Sequence, residues 1–243
     1  MKLFETINLC KEFQRRTATG SAGVPAVHEV NLTVDEGEVI TITGVSGSGK
    51  TTLLTLLAGL ASPTGGEVLF RGRALTALPD RELSRIRNRD IGFVPQGTGL
   101  LGNLTIMDNV RAPQIFAGGN AADSSRAGFL LETVGLADLA LEYPKNLSGG
   151  EMRRASIARA LFNEPLVLLA DEPTSDLDPE NTGMVMNLLG EIHRQGTTVI
   201  VVTHELGVAA CGTRRLRMAH GLLGPFRDEI APLVLETATR NAE

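Results

Sequence analysis

A glycine-rich segment between an apolar run and a helical run constrains the fold of this chain more than any other feature. The run Val39 to Thr43 is typical of a buried strand, and the run Thr51 to Leu60 of a helix. The residues that join them fit the pattern G-x-x-x-x-G-K-[ST] and read Gly44-Val45-Ser46-Gly47-Ser48-Gly49-Lys50-Thr51. A buried strand, this loop and a helix, in that order, predict an α/β fold with a phosphate-binding loop. The alternative is a turn that only links the strand to the helix, but such a turn does not require a complete match to this pattern.

The residues of this loop suit a nucleoside triphosphate. Its glycines allow successive backbone N–H groups to turn toward phosphate oxygens, and the following helix presents the positive end of its dipole to the same anion. Lys50 is expected to reach the β- and γ-phosphates, and the Thr51 hydroxyl to bind Mg²⁺. We expect nucleotide contacts from Gly44, Val45, Ser46, Gly47, Ser48, Gly49, Lys50, Thr51 and Thr52.

Two adjacent carboxylates follow a second apolar run. Leu166 to Ala170 is typical of a strand covered on both faces, and Asp171 and Glu172 come directly after it. Ligands bind at the carboxyl ends of strands in open α/β sheets. Asp171 is expected to hold Mg²⁺ and Glu172 to act as the general base on an attacking water, which favours hydrolysis over kinase or GTPase chemistry. An exposed loop or an N-cap is the alternative for this acidic pair.

Strand-like and helical runs alternate through most of the 243 residues, as in a parallel sheet. Glu67 to Phe70 and Thr197 to Val202 are further predicted strands. Between residues 97 and 162 the pattern is helical only, which predicts an inserted helical subdomain with helices over Thr105 to Phe116, Ser124 to Val134 and Gly149 to Phe162. The polar stretch Arg15 to Ala26 is either a hairpin or a loop.

Composition and charge exclude several classes of protein. The net charge of −5 argues against non-specific binding to a nucleic-acid backbone. Cys10 and Cys211 alone do not indicate a secreted disulfide scaffold. No run approaches the roughly 18 apolar residues of a membrane span, and the start lacks a signal-peptide core. We therefore expect a cytosolic protein that serves a membrane process only by docking on another protein.

The segment Asn146-Leu147-Ser148-Gly149-Gly150-Glu151 resembles the signature motif of ATP-binding-cassette (ABC) ATPases. Ser148 and Glu151 fit a capping box. A capping box does not explain the two glycines in the first helical turn, which weaken a helix, whereas close approach of the backbone to a ligand would explain them. The resemblance implies that this helix start contacts the γ-phosphate of an ATP held by the other subunit of a head-to-tail dimer. Ser148, Gly149, Gly150 and Glu151 would make that contact, with Glu151 where the family usually has Gln.

Further segments resemble elements of the same family. Gln96 is similar to the Q-loop glutamine, which contacts Mg²⁺ and the attacking water. Asp178, in Ser175-Asp-Leu-Asp178, is similar to the D-loop residue at the dimer interface, and it also suits an N-cap before Pro179. His204 is similar to the switch histidine that contacts the γ-phosphate, although a lone histidine is often structural. Phe13 is similar to the aromatic residue that stacks on adenine, with a core position as the alternative.

The resemblance covers roughly residues 1 to 224 and implies one nucleotide-binding domain. Residues 1–96 and 163–224 would form a P-loop core with a mostly parallel sheet and an N-terminal antiparallel β subdomain; residues 97–162 would form the helical subdomain. We assign no role to the tail, residues 225–243. ATP and Mg²⁺ are the implied ligands, and a second ABC subunit in a homodimer is the implied partner.

The segments Arg85 to Gln96 and Leu100 to Val110 resemble the subgroup of macrolide-export, lipoprotein-release and cell-division ATPases. This implies a subunit at the cytoplasmic face of the membrane that drives a separate integral membrane permease. The segment after Gln96 would form a groove for a coupling helix of that permease, with Leu100 and Leu101 either in the groove or in the core. A soluble ABC ATPase of translation or DNA repair is the alternative function.

Overall fold

Two β-sheets form in the residues that the computed structural model describes, which are 1–17, 20–117, 124–209 and 212–226. Apart from its first two residues, the predicted tail lies outside this range. The strands are β1 (Lys2–Thr17), β2 (Gly20–Asp35), β3 (Val39–Thr43), β4 (Gly65–Phe70), β5 (Arg73–Ala74), β6 (Ile91–Val94), β7 (Val167–Asp171), β8 (Thr198–Thr203), β9 (Arg214–Ala219) and β10 (Leu222–Pro225). The helices are α1 (Lys50–Leu57), α2 (Asp80–Arg89), α3 (Ile106–Phe116), α4 (Ser125–Thr133), α5 (Gly149–Ala160), α6 (Pro179–Arg194) and α7 (Leu206–Ala209).

The larger sheet has the strand order β10-β9-β3-β8-β7-β6. Its pairs are parallel except β9 with β10. The smaller sheet has the order β2-β1-β4-β5, and its pairs are antiparallel. The predicted fold class, a P-loop core with a mostly parallel sheet and an N-terminal antiparallel sheet, is confirmed.

Residues of β7 and β8 alternate between two hydrophobic clusters. Val167 and Leu169 pack in the cluster that includes α1 and the smaller sheet. Leu168 and Ala170 pack in the cluster that includes α3 to α6. Successive side chains of a strand point to opposite faces, so a sheet covered on both faces gives a continuous apolar run. This double burial fixes the carboxyl end of β7, where the acidic pair follows.

The polar stretch Arg15 to Ala26 forms a hairpin in its described backbone, which is one of the two structures expected for it. β1 and β2 continue as paired strands through most of the stretch Arg15 to Ala26, so the loop alternative is wrong for its described backbone. Glu12 pairs with Pro25, and Phe13 with Val24. Because backbone hydrogen bonds make this pairing, the polar side-chain pattern did not reveal its length.

The helix after the glycine-rich loop ends earlier than predicted, at Leu57 rather than Leu60. Gly59 has φ +64°, its N–H bonds to Leu56 O, and the N–H of Leu60 bonds to Thr55 O. These two bonds form a Schellman motif, which ends a helix at a glycine in the left-handed region. In the described parts of residues 97–162 the regular structure is helical, as expected. None of the helices in the described ranges has the length and apolar character that crossing a bilayer requires.

Candidate active site

A cavity of about 1010 Å³ lies at the carboxyl edge of the parallel sheet, where β3, β7 and β8 end side by side. We call it the nucleotide cavity. Its walls include the whole loop from Gly44 to Thr52 together with Phe13, Gln96, Glu172 and His204. Sequence reasoning missed five further lining residues, Ala26, Thr43, Leu206, Arg217 and Phe226. Apart from Phe226, which is aromatic, none of these carried a signal in the sequence pattern.

The glycine-rich loop has a backbone that only glycine allows at its end. Gly49 has φ +107°, and a Cβ atom there would lie 2.0 Å from the carbonyl oxygen of Ala26. In the described part of the chain no side chain caps the start of α1, and the buried hydroxyl of Ser48 has no hydrogen-bond partner. Free N–H groups at a helix start and an unpaired buried hydroxyl fit an anionic ligand such as a phosphate group.

Lys50, Glu172 and His204 meet inside the cavity. The Lys50 ammonium donates to the carbonyl oxygens of Gly44 (2.7 Å) and Val45 (3.2 Å), and it lies 3.5 Å from Glu172 Oε1. Glu172 Oε2 accepts a hydrogen bond from the His204 backbone N–H at 3.2 Å and lies 2.9 Å from His204 Nδ1. Lys50 and Glu172 are buried, whereas the His204 side chain is 58% exposed. One carboxylate is therefore held from both sides and faces the cavity.

The backbone at Glu172 is in the left-handed region, with φ +47°. This conformation is uncommon for a residue other than glycine and costs of order 1 kcal/mol. The Glu172 N–H donates to Val202 O at 2.9 Å, and Glu172 O accepts from the N–H and the hydroxyl of Ser175. These bonds hold the turn that directs the carboxylate toward the end of β8.

Asp171 and Thr51 form the oxygen pair that the sequence predicted for Mg²⁺. The Thr51 hydroxyl donates to Asp171 Oδ1 at 3.2 Å. Burial raises the pKa of Asp171, the bond from Thr51 lowers it, the Glu172 charge raises it, and the charges of Lys50 and Arg153 lower it. Mg²⁺ is usually held by one or two carboxylates together with substrate phosphates and waters, so this pair beside the phosphate loop fits the ion.

Phe13 lines the nucleotide cavity and is 50% exposed, so it is not a core residue. The Lys11 ammonium lies 5.3 Å from the centroid of its ring. Phe226, which directly follows β10, lines the same cavity, and Arg215 Cζ lies 4.9 Å from the centroid of the Phe226 ring. Two phenylalanines therefore line the cavity in the described part of the chain, and the sequence indicated one of them.

The predicted capping box is present at the start of α5, which we call the signature end (Ser148 to Glu151). The Ser148 hydroxyl accepts from the Glu151 N–H, and Glu151 Oε2 accepts from the Ser148 N–H at 2.7 Å and from its hydroxyl at 2.8 Å. These hydrogen bonds from Ser148 lower the pKa of Glu151. The signature end does not line the nucleotide cavity of the described chain, and neither does Asp178, which caps α6 by accepting from the Asn181 N–H at 2.8 Å.

The two glycines of the signature end have different surroundings. A Cβ atom at Gly150 would lie 2.1 Å from Asn181 Oδ1, so packing against α6 accounts for this glycine. At Gly149 the nearest atom would be Leu177 Cδ2 at 3.7 Å, which is ordinary contact. The expectation that both glycines reflect a nearby ligand is therefore revised for Gly150. Nothing in the described chain requires glycine at position 149.

The family profile described as ABC transporter matches residues 27–175. The chain belongs to the ABC transporter family. The matched range contains the glycine-rich loop, Gln96, the signature end and Glu172. As a cassette of this family the chain uses ATP and Mg²⁺ and hydrolyses ATP.

Two solved structures of the cassette MJ0796 are similar to this chain. Each has 36% sequence identity and a TM-score of 0.83, and each match covers 92% of this chain and 99% of that chain. One is described as a dimeric post-hydrolysis state of the ATP-binding cassette bound to ADP and Pi. The other is described as the dimeric structure of a bacterial ABC transporter cassette. The chain and these cassettes therefore share one fold over most of their length.

Proposed function

We propose that this cassette is the ATP-hydrolysing subunit of an ABC membrane transport or mechanotransmission complex. It pairs with a second cassette around two Mg-ATP and drives a separate permease. The observation that carries the proposal is the convergence of Lys50, Glu172 and His204 at the wall of one cavity. A base fixed beside a phosphate-binding lysine suits the attack of water on a γ-phosphate.

Each residue has a distinct proposed role. Glu172 accepts a proton from the attacking water, and His204 orients the carboxylate and contacts the γ-phosphate. Lys50 exchanges its bonds to the carbonyls of Gly44 and Val45 for bonds to the β- and γ-phosphates. Thr51, Asp171 and Gln96 would hold Mg²⁺, which would supply positive charge to the phosphates. Phe13 stacks on the base, as its position at the cavity wall supports.

Pairing with a second cassette would complete the site. Ser148 and Gly149 are exposed and lie outside the nucleotide cavity of their own chain. In a head-to-tail pair, the signature end of one chain would close the cavity of the other, with Asp178 near the interface. The two solved structures of MJ0796 are dimeric, which supports pairing of two cassettes. One complete set of site residues makes an identical second chain the simplest partner.

A groove of about 350 Å³ is the proposed contact with the permease. It lies between β6, α3 and α5 and has an apolar wall that includes Leu101, Phe93 and Phe116. Leu101 is 38% and Phe116 77% exposed. Leu100 instead packs partly buried against the core cluster of the helices, which favours the core alternative for that residue. A short amphipathic helix of a membrane protein is the occupant that we propose.

The export or lipoprotein-release subgroup is the finer part of the proposal. It rests on the resemblance of residues 85–110 and predicts that a neighbouring open reading frame encodes a permease of four transmembrane helices with a large external domain. A six-helix permease would contradict the subgroup. A soluble ABC ATPase of translation or DNA repair stays the alternative, and it predicts co-purification with ribosomes or DNA instead of a membrane protein. The division into core and helical subdomain, and the location at the cytoplasmic face, remain predictions.

The hydrolytic part is tested with Glu172→Gln. The amide cannot accept the proton, so we expect hydrolysis to slow by at least about 10²-fold while ATP binding is kept. Turnover by phosphate release and binding of a fluorescent ATP analogue measure the two effects separately. Undiminished turnover would contradict the role of Glu172.

The permease contact is tested with Leu101→Asp. A carboxylate in the groove should abolish co-purification with the permease while the isolated chain stays folded in a thermal melt. Leu141→Asp is the matched control, because Leu141 is 80% exposed and lies outside the groove. Retained co-purification of Leu101→Asp, or equal loss in Leu141→Asp, would contradict the proposed groove.

A further inference from the structure

Arg153 is a buried cation on α5 whose contacts lie on other parts of the site. Its side chain is 4% exposed. Nη1 donates to the carbonyl oxygen of Pro95 at 3.0 Å and to that of Gly97. These two residues flank Gln96. One guanidinium therefore holds the backbone on both sides of the glutamine.

The second terminal nitrogen of Arg153, Nη2, lies near the turn after β7. Nη2 lies 3.5 Å from Ser175 Oγ. The Ser175 hydroxyl donates to Glu172 O at 3.1 Å, and the Ser175 N–H donates to the same oxygen at 3.2 Å. Arg153 is thus connected to the backbone of Glu172 through one side chain. The two groups proposed to contact the attacking water share this one support.

Burial of this guanidinium removes its charge from water, which costs free energy. Burial lowers the pKa of Arg153, and the negative charges of Asp176 and Asp171 raise it. Among the described residues its Nε atom has no hydrogen-bond partner although it is buried. A buried charge with an unpaired N–H is weak evidence for a stabilising role, because an apolar side chain often serves stability as well or better. The contacts to carbonyls around Gln96 and to Ser175 are what distinguish Arg153 from such a residue.

We propose that Arg153 is a positioning residue for ATP hydrolysis, which fixes the backbone around Gln96 and, through Ser175, the turn that carries Glu172. The inference rests on the proposed function, because it assumes that Gln96 and Glu172 act on the same water. In the described part of the chain, the hydrogen bonds of Arg153 go to Pro95, Gly97 and Ser175, and not to the phosphate loop or Phe13. Loss of the guanidinium therefore lowers kcat and leaves nucleotide binding in place.

The test compares Arg153→Gln, Arg153→Lys and Ser175→Ala with Arg154→Gln. Arg154 is the matched control, because it is the next residue of the same helix and its guanidinium contacts Asn181 and Met184 instead. Steady-state kcat and KM, ATP binding and a thermal melt are measured for each variant. The split between kcat and KM separates positioning from a general loss of structure.

We expect Arg153→Gln to lower kcat by about 10- to 100-fold, because small displacements of reacting groups have effects of that size. KM should stay within about twofold. Arg153→Lys should give an intermediate kcat, since an ammonium replaces the charge but not the planar fork. Ser175→Ala should lower kcat by about 3- to 10-fold. A double variant that combines Arg153→Gln with Ser175→Ala should have a kcat within about twofold of that of Arg153→Gln alone, because both changes remove the same support. Arg154→Gln should keep kcat within about twofold of the wild type.

A kcat of Arg153→Gln within twofold of the wild type, or equal losses in Arg153→Gln and Arg154→Gln, would overturn the inference. If Arg153→Gln does not fold, the inference is tested with Arg153→Lys and Ser175→Ala. A wild-type kcat in both of these variants would overturn it. The wild type and Glu172→Gln are measured in the same assay. Absence of turnover in the wild type would contradict the proposed function itself, whereas normal turnover with an unaffected Arg153→Gln contradicts only the role of Arg153.

Discussion

The polar groups of the nucleotide cavity and those of the signature end differ in how far hydrogen bonds within the chain satisfy them. Beside the cavity, Asp171 is buried with its pKa raised by that burial, and in the cavity wall the buried Ser48 hydroxyl has no partner in the described chain. At the signature end, Glu151 accepts two hydrogen bonds from Ser148, which lower its pKa. The cavity therefore has groups that need a ligand. The signature end is complete as a helix cap, so any function of its exposed face depends on another molecule.

The largest effect on turnover in this comparison is expected from Gly149→Ala at the signature end. Gly149→Ala has room for its methyl group within the chain, so the free energy of unfolding should stay equal or rise by up to about 1 kcal/mol. Turnover should fall by about 10- to 100-fold, because the methyl group lies on the face proposed to contact the nucleotide of the second chain. Wild-type turnover in this variant would remove the reason for placing a ligand at Gly149.

Gly150→Ala is the counterpart within the same turn. Its methyl group would collide with Asn181 of α6, so the free energy of unfolding should fall by about 1–3 kcal/mol. Denaturant unfolding of both glycine variants measures the contrast. Equal stability of the two variants would contradict the packing reason given for Gly150.

Phe13→Ala tests the cavity alone. Loss of a stacked aromatic ring should weaken ATP binding by about tenfold, with kcat little changed, because the base on which it would stack takes no part in the attack of water on the γ-phosphate. Phe129→Ala is the control, because Phe129 is 57% exposed and does not line the cavity. Like Phe13, it has a cation near its ring, with Arg126 Cζ 5.6 Å from the ring centroid. Isothermal titration with ATP measures both variants, and unchanged affinity in Phe13→Ala would contradict the stacking role.

The smallest expected effects are in the pH dependence of stability, and they have opposite signs in the two regions. A raised pKa means that the folded protein holds its proton more tightly, so the contribution of Asp171 to stability is present at low pH and is lost as the pH rises through the folded pKa. The lowered pKa of Glu151 gives a contribution that is present above its unfolded pKa and is lost as the pH falls through the folded value.

Asp171→Asn should therefore raise the free energy of unfolding of the nucleotide-free chain at pH 7, by about 1 kcal/mol, because it removes a buried charge. Glu151→Gln should lower it at pH 7 and reduce the loss of stability on acidification. Denaturant unfolding between pH 4 and pH 8 measures both variants. Changes of the same sign at pH 7 would contradict the contrast between the two regions.

The parts predicted best from the sequence are those in which local pattern and chemistry coincide. The apolar runs before Gly44 and Asp171 identified two central strands, and the spacing of Ser148 and Glu151 identified the capping box. The extent of the β1–β2 hairpin was not evident, because backbone pairing determines it. The contacts of Arg153 and the position of Phe226 at the cavity were not predictable either, because only tertiary packing brings these side chains to the site.

In the proposed dimer, the nucleotide cavity of one chain is closed by the signature end of another. The most direct measurement is the mass of Glu172→Gln in solution, by light scattering, with and without saturating Mg-ATP. We expect the mass of one chain without nucleotide and twice that mass with it. Addition of Ser148→Arg should return the mass to that of one chain although ATP still binds. An unchanged mass with Mg-ATP, or a doubling that survives Ser148→Arg, would contradict the proposed dimer.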